Sequence, residues 1–84
     1  MEKENFLTER KLLGKRIMQL RFKCINEKTK KPISQEELGL RIGLVKNHVG
    51  KIERGQTNTT VDVLFAIAKE FKVNISELFN FDEL

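Results

Sequence analysis

The segment SQEELGLRIGLVKNHVGKIERG, Ser34 to Gly55, constrains the fold more than any other part of the chain. It opens with Ser34 and Glu37 in the S-x-x-E spacing of a capping box, which satisfies two orphan amides at a helix start. Leu38 and Ile42 then fall four apart on one helical face. Gly43 stops that helix, because a residue without Cβ enters the left-handed region at little cost. A second helix is expected over about Lys46 to Arg54, with Val49 and Ile52 on its inner side and Gly55 as its stop. Two short helices joined by Gly43, Leu44 and Val45 make a helix-turn-helix. Leu38, Ile42, Leu44, Val49 and Ile52 supply the wedge between them, and Gly39 is expected where the two backbones approach. Lys46, Asn47, His48, Gly50, Lys51, Glu53 and Arg54 remain outside. A nine-residue helix with an apolar inner side and a basic outer side matches the width of a DNA major groove.

The flanking sequence reads as helix too. Thr8 is the expected cap of a first helix, whose inner face carries Leu13, Ile17, Leu20 and Cys24 at steps of four, three and four. The polar run NEKTKKPIS contains the single proline, Pro32, and reads as a loop. Thr60 caps a fourth helix with Leu64, Ile67, Ala68 and Phe71 on one face. Asn74 and Glu77 resemble a second capping box, opening a short fifth helix with Ile75, Leu78 and Phe79. No stretch shows strand alternation, so the expected fold class is all-α, a compact five-helix domain with the helix-turn-helix at its centre. The expected boundaries are an N-terminal extension over 1–7, the DNA-binding domain over 8–79 and a C-terminal tail over 80–84.

Charge separates along the chain. Residues 1–54 hold 14 Lys and Arg against 7 Asp and Glu, whereas residues 55–84 hold 2 against 5. A polyanion is the natural partner of the first part. Cys24 is the only cysteine and His48 the only histidine. That leaves no disulfide partner and no zinc set, and neither residue has the orienting neighbours of an activated nucleophile. No catalysis, metal or cofactor is expected. No apolar run approaches the ~20 residues of a membrane span and the N-terminus lacks an apolar signal region, so a cytoplasmic location and no membrane partner are expected.

SQEELGLRIGL and VGKIERG, with LLGKRIMQLR before and VDVLFAIAKEFKVNISELF after, resemble the phage-repressor and Cro-type (Xre-family) helix-turn-helix proteins over about Leu12 to Phe79. The resemblance implies a lambda-repressor-like domain whose second motif helix reads DNA. It implies that Gln35 meets a phosphate from its helix N-terminus, with Ser34 beside it. Lys46, Asn47, Gly50 and Lys51 are implied to face base edges. Lysine donates to guanine O6 and N7, and asparagine pairs with adenine. His48, Arg54, Gln56, Thr57 and Asn58 are implied to hold the backbone, positioning without specifying. It also implies a structural ion pair between Arg21 and Glu53, which would turn that carboxylate away from DNA.

Departures from the family pattern are clear. Val45 stands where Ser or Thr usually caps the recognition helix, Asn47 being an alternative cap. Gly39 replaces an alanine, Thr59 a proline and Lys72 a glycine. About seven extra residues separate Arg21 from Ser34, expected to extend the first helix by a turn and then to form a basic loop whose Lys28, Lys30 and Lys31 either graze a phosphate or are simply solvated, the solvated loop being the reading favoured. The expected function is a sequence-specific, double-stranded-DNA-binding transcriptional regulator, repressor-like and homodimeric. Phe79, Phe81 and Leu84 are the candidate dimer surface, with Phe6 and Leu7 able to cover the same region. A small-molecule effector is not expected. The alternatives are a protein-interaction module or the antitoxin of a toxin–antitoxin pair on the same fold.

Overall fold

A helix seventeen residues long, α1 (Leu7–Lys23), forms the spine of the computed structural model, which describes residues 5–84. A two-residue hairpin follows, β1 (Ile25–Asn26) against β2 (Lys31–Pro32), antiparallel, with Ile25 opposite Pro32 and Asn26 opposite Lys31. Then come α2 (Gln35–Ile42), α3 (His48–Glu53) and α4 (Val61–Phe71), and two 3₁₀ turns over Ile75–Phe79 and Phe81–Glu83. Residues 1–4 of the expected N-terminal extension lie outside the described residues.

The core has two parts. Ile17 and Leu20 of α1, Ile52 of α3, Leu64, Ile67 and Ala68 of α4, and Leu78 make the larger. Ile33, Leu38 and Val49 make the smaller. Ile42, Leu44 and Phe71 touch both parts, so the expected wedge joins the two rather than forming a separate core. Cys24 packs half-buried against the smaller part.

Where capping is local, the helices begin as their residues dictate. Ser34 Oγ accepts from the Glu37 amide at 2.9 Å, and Thr60 Oγ1 from the Val63 amide at 3.1 Å. The Ser34 box is one-sided, because the Glu37 carboxylate is engaged by Arg41 at 3.3 Å instead of reaching back. Thr8 is not a cap: α1 starts one residue earlier, and Asn5 Oδ1 accepts from the Leu7 amide at 2.9 Å.

Three further expectations are corrected. The fifth helix is a 3₁₀ turn. Asn74 Oδ1 accepts from Ser76 rather than from Glu77, and the Glu77 carboxylate and carbonyl are both taken by Arg16, at 3.0 and 2.7 Å. The extra segment does not lengthen α1, which ends at Lys23 where Cys24 turns extended (ψ 101). It forms the hairpin, closed by the Ile33 amide donating to the Cys24 carbonyl at 2.8 Å. Finally, α3 is six residues rather than nine. Lacking a hydroxyl at Val45, the chain passes through a turn, and Asn47 sits ahead of the helix at φ 71 with no side-chain capping bond.

Close backbone approach falls at a different glycine from the one expected. A Cβ on Gly39 would sit 3.6 Å from Val49 Cγ2, an ordinary contact. A Cβ on Gly14 would sit 2.4 Å from the Glu53 carbonyl oxygen and 2.5 Å from that of Ile52. Gly14 therefore lets the C-terminal end of α3 lie directly on α1. Lys72, where the family has glycine, ends α4 in the left-handed region at φ 58, a conformation costing roughly 1–2 kcal/mol for an L-residue.

Gly14→Ala is accordingly expected to destabilise the fold by about 1–3 kcal/mol, the usual cost of overpacking. Gly39→Ala is expected to stabilise it by roughly 0.5–1 kcal/mol through helix propensity. Urea titrations of both variants followed by circular dichroism check the opposite signs.

Candidate nucleic-acid interface

The outer surface of the helix-turn-helix is assembled around one neutralised carboxylate. Glu53 closes α3 at 5% exposure, where an unpaired charge would be costly. Arg21, itself buried near the end of α1, meets it side-on: Nε donates to Oε2 at 2.7 Å and a terminal nitrogen to Oε1 at 3.1 Å. The other terminal nitrogen of Arg21 donates to the Ile33 carbonyl at 2.9 Å. Gln35 Nε2 adds a third bond to the carboxylate, at 2.8 Å to Oε1. One arginine thus ties α1, the strand leading to α2, and α3 together, and Gln35 joins the N-terminus of α2 to the same point.

Around that network the surface is cationic. Lys46 and Asn47 lie in the turn ahead of α3, Lys51 and Arg54 on and just after it, and all four are exposed. Lys46, Asn47 and Lys51 make no side-chain hydrogen bond or ion pair with the described residues, whereas Arg54 Nε donates to Gln56 Oε1 at 3.0 Å. Gln35 and Asn58 are exposed, Thr57 and His48 half-buried. Ser34 keeps its hydroxyl proton free to donate while its oxygen serves as the cap.

Gly50, expected at a base edge, is buried instead. A Cβ there would lie 3.0 Å from the Arg54 guanidinium and 3.2 Å from Gln35 Oε1. Its lack of a side chain makes room for those two groups to close over α3.

Reading the sequence missed two parts of this surface. Lys11 and Lys15, one turn apart on α1, line a shallow groove with Met18, Gln35, Glu53 and Arg54. Helical spacing alone places both lysines off the apolar face, yet only the packing of α1 on α3 sets them beside Arg54. Val45 (76% exposed) and Leu40 (70%) rim a second groove with Gln35, Lys46 and Asn47.

In the C-terminal segment, Phe79 (49% exposed) and Leu84 (48%) lie open, and Phe81 is half-buried with its ring centroid 6.4 Å from that of Phe79. Val61 and Phe65, one turn apart on α4, are also exposed and were not foreseen. The tail is fixed to α1, since Gln19 Nε2 donates to the Glu83 carbonyl at 2.7 Å. Among the described residues, no group of His, Cys, Asp and Glu is placed to hold a metal ion, and no helix is long and apolar enough to cross a membrane.

Comparison with known proteins follows this geometry. The helix-turn-helix family model matches residues 28–78. Two uncharacterized HTH-type transcriptional regulators of Archaeoglobus fulgidus are 33% and 31% identical over 51 residues, 61% of this chain and 72% and 73% of theirs. The crystal structure of the restriction-modification controller protein C.AhdI from Aeromonas hydrophila superposes with a TM-score of 0.71 at 32% identity, covering 86% of this chain and 98% of that one. The chain belongs to the Xre-like helix-turn-helix family of DNA-binding transcriptional regulators.

Proposed function

We propose that this regulator binds a specific duplex sequence as a homodimer, and represses transcription by occupying a promoter. The observation that carries the reading is the juxtaposition of Lys46, Asn47 and Lys51, exposed and without partners among the described residues, with a carboxylate that Arg21 and Gln35 have neutralised. The turn before α3 and the first turn of α3 would present these three side chains to base edges in the major groove. Asn47 is free for this role because it does not spend its side chain on the helix cap. Gln35, Ser34, His48, Arg54, Gln56, Thr57 and Asn58 would hold the flanking phosphates, joined by Lys11 and Lys15. Gly50 supports that set from below.

A six-residue helix spans too few base pairs to define an operator alone. Two copies on half-sites about 34–36 Å apart, or a multiple of that, would double the reading. The apolar groups of the C-terminal segment, Phe79, Phe81 and Leu84, are the proposed contact.

After an operator has been selected from a random duplex pool, Lys46→Ala, Asn47→Ala and Lys51→Ala should each weaken it by about 1–3 kcal/mol and relax preference at one position. Gln35→Ala should weaken all sequences about equally. Unchanged operator affinity in the triple alanine variant would remove the groove assignment.

Glu53→Ala is expected to cost about 3–5 kcal/mol of stability by leaving the Arg21 charge buried and unpaired. Arg21→Met combined with Glu53→Leu should cost markedly less, and thermal unfolding of both variants tests the difference. For assembly, light scattering should give twice the 9.8 kDa chain mass, and Phe79→Ser should shift it toward one chain; a single-chain mass at high concentration in the parent argues against the dimer.

A further inference from the structure

We infer that the hairpin between α1 and α2 is a second phosphate-binding element, which extends the DNA footprint along the backbone beyond the phosphate met by Gln35. This rests on the DNA-binding reading above. The hairpin is the inserted segment, and α1 and its first strand precede the family-matched residues 28–78.

Its position is set by the network that builds the interface. Ile33, 1% exposed, ends the hairpin, and its carbonyl accepts from the same Arg21 guanidinium that holds Glu53. Ser34, the cap of α2, is the next residue, and Gln35 follows it. The hairpin therefore leaves the protein at the N-terminus of α2. At ~3.3 Å per strand residue, its tip lies about 10–13 Å from that cap.

The turn is built rather than loose. Asn26 Oδ1 accepts from the Lys28 amide at 2.8 Å and the Thr29 amide at 3.4 Å. The Lys30 amide donates to the Asn26 carbonyl at 2.8 Å, and Lys30 takes the left-handed conformation, φ 61. Thr29 Oγ1 accepts from the Lys31 amide at 3.3 Å. Lys28, Lys30 and Lys31 are exposed, and none forms an ion pair with the described residues. Glu27 is the one carboxylate in the segment. Three cations held on a short rigid arm, without sequence-reading groups, suit contact with a regular row of phosphates. Such contacts raise affinity for every duplex and steepen its dependence on salt.

The test is a salt titration of duplex binding with the whole chain, selected operator and random duplex in parallel. Lys28→Gln, Lys30→Asn and Lys31→Gln together remove the charge, and asparagine tolerates the left-handed position. At three phosphates per protomer and ~0.9 per phosphate, the slope of log K against log salt should flatten by about 2–3 for each bound protomer, with roughly 10–100-fold weaker binding at low salt per protomer. The ratio of operator to random affinity should stay the same. Glu27→Lys, which leaves the turn's hydrogen bonds intact, should steepen the slope by about 1 for each bound protomer. Parent-like slopes in both variants would overturn the hairpin proposal while leaving DNA binding in place. A parent chain that binds no duplex even at low salt would overturn both.

Discussion

Burying Glu53 is the condition on which the helix-turn-helix half of the molecule depends. A carboxylate on the last turn of a helix meant for a polyanion would repel phosphates if exposed and would be costly if buried alone. Arg21 resolves both problems by meeting it side-on at 2.7 and 3.1 Å. The pair has geometric demands that a hydrophobic contact would not impose. It requires the end of α1, the start of α2 and the end of α3 to converge on one point, and it recruits Gln35 and the Ile33 carbonyl to complete the bonding. The convergence is tight enough that α1 needs Gly14 opposite the Glu53 backbone. The angle at which α3 projects is therefore set by polar bonds and one missing side chain, and only then filled by Val49 and Ile52.

A second buried arginine does comparable work on the other face of α1. Arg16, 2% exposed, is five residues before Arg21 on α1 and binds both the carboxylate and the carbonyl of Glu77, while neighbouring Gln19 holds the Glu83 carbonyl. The long helix α1 thus serves as a strut, with one arginine fastening the basic interface and the other the acidic C-terminal end. This arrangement holds Glu77 and the tail against α1 and leaves Phe79 and Leu84 exposed beside it.

The recognition segment shows how one substitution in a motif redistributes roles. Val45 in place of a hydroxyl residue removes the usual cap, and α3 begins only at His48. Lys46 and Asn47 consequently stand on a turn rather than on helix, Asn47 in the left-handed region that asparagine tolerates better than most residues. Buried Gly50 leaves a hollow into which Gln35 and Arg54 fold, so these two side chains sit close above α3.

What the sequence by itself determined was whatever depends on neighbours a few residues apart. The starts of α2 and α4 at Ser34 and Thr60, the stops at Gly43 and Gly55, and the apolar stripe of α4 were all legible because caps, left-handed turns and 3.6-residue periodicity are local. The Arg21–Glu53 pairing was named only through family resemblance, since nothing local links residues 32 apart. Tertiary structure alone decided the rest. Strands of two residues have no alternation to read, so the hairpin appears only once Ile33 is seen buried beneath it. The fifth helix is a 3₁₀ turn, and the Glu77 carboxylate that a capping box would have used is taken by Arg16, 61 residues away. The close backbone approach falls at Gly14 rather than Gly39, because the space a Cβ would occupy is a distance between helices, which no spacing along the chain encodes.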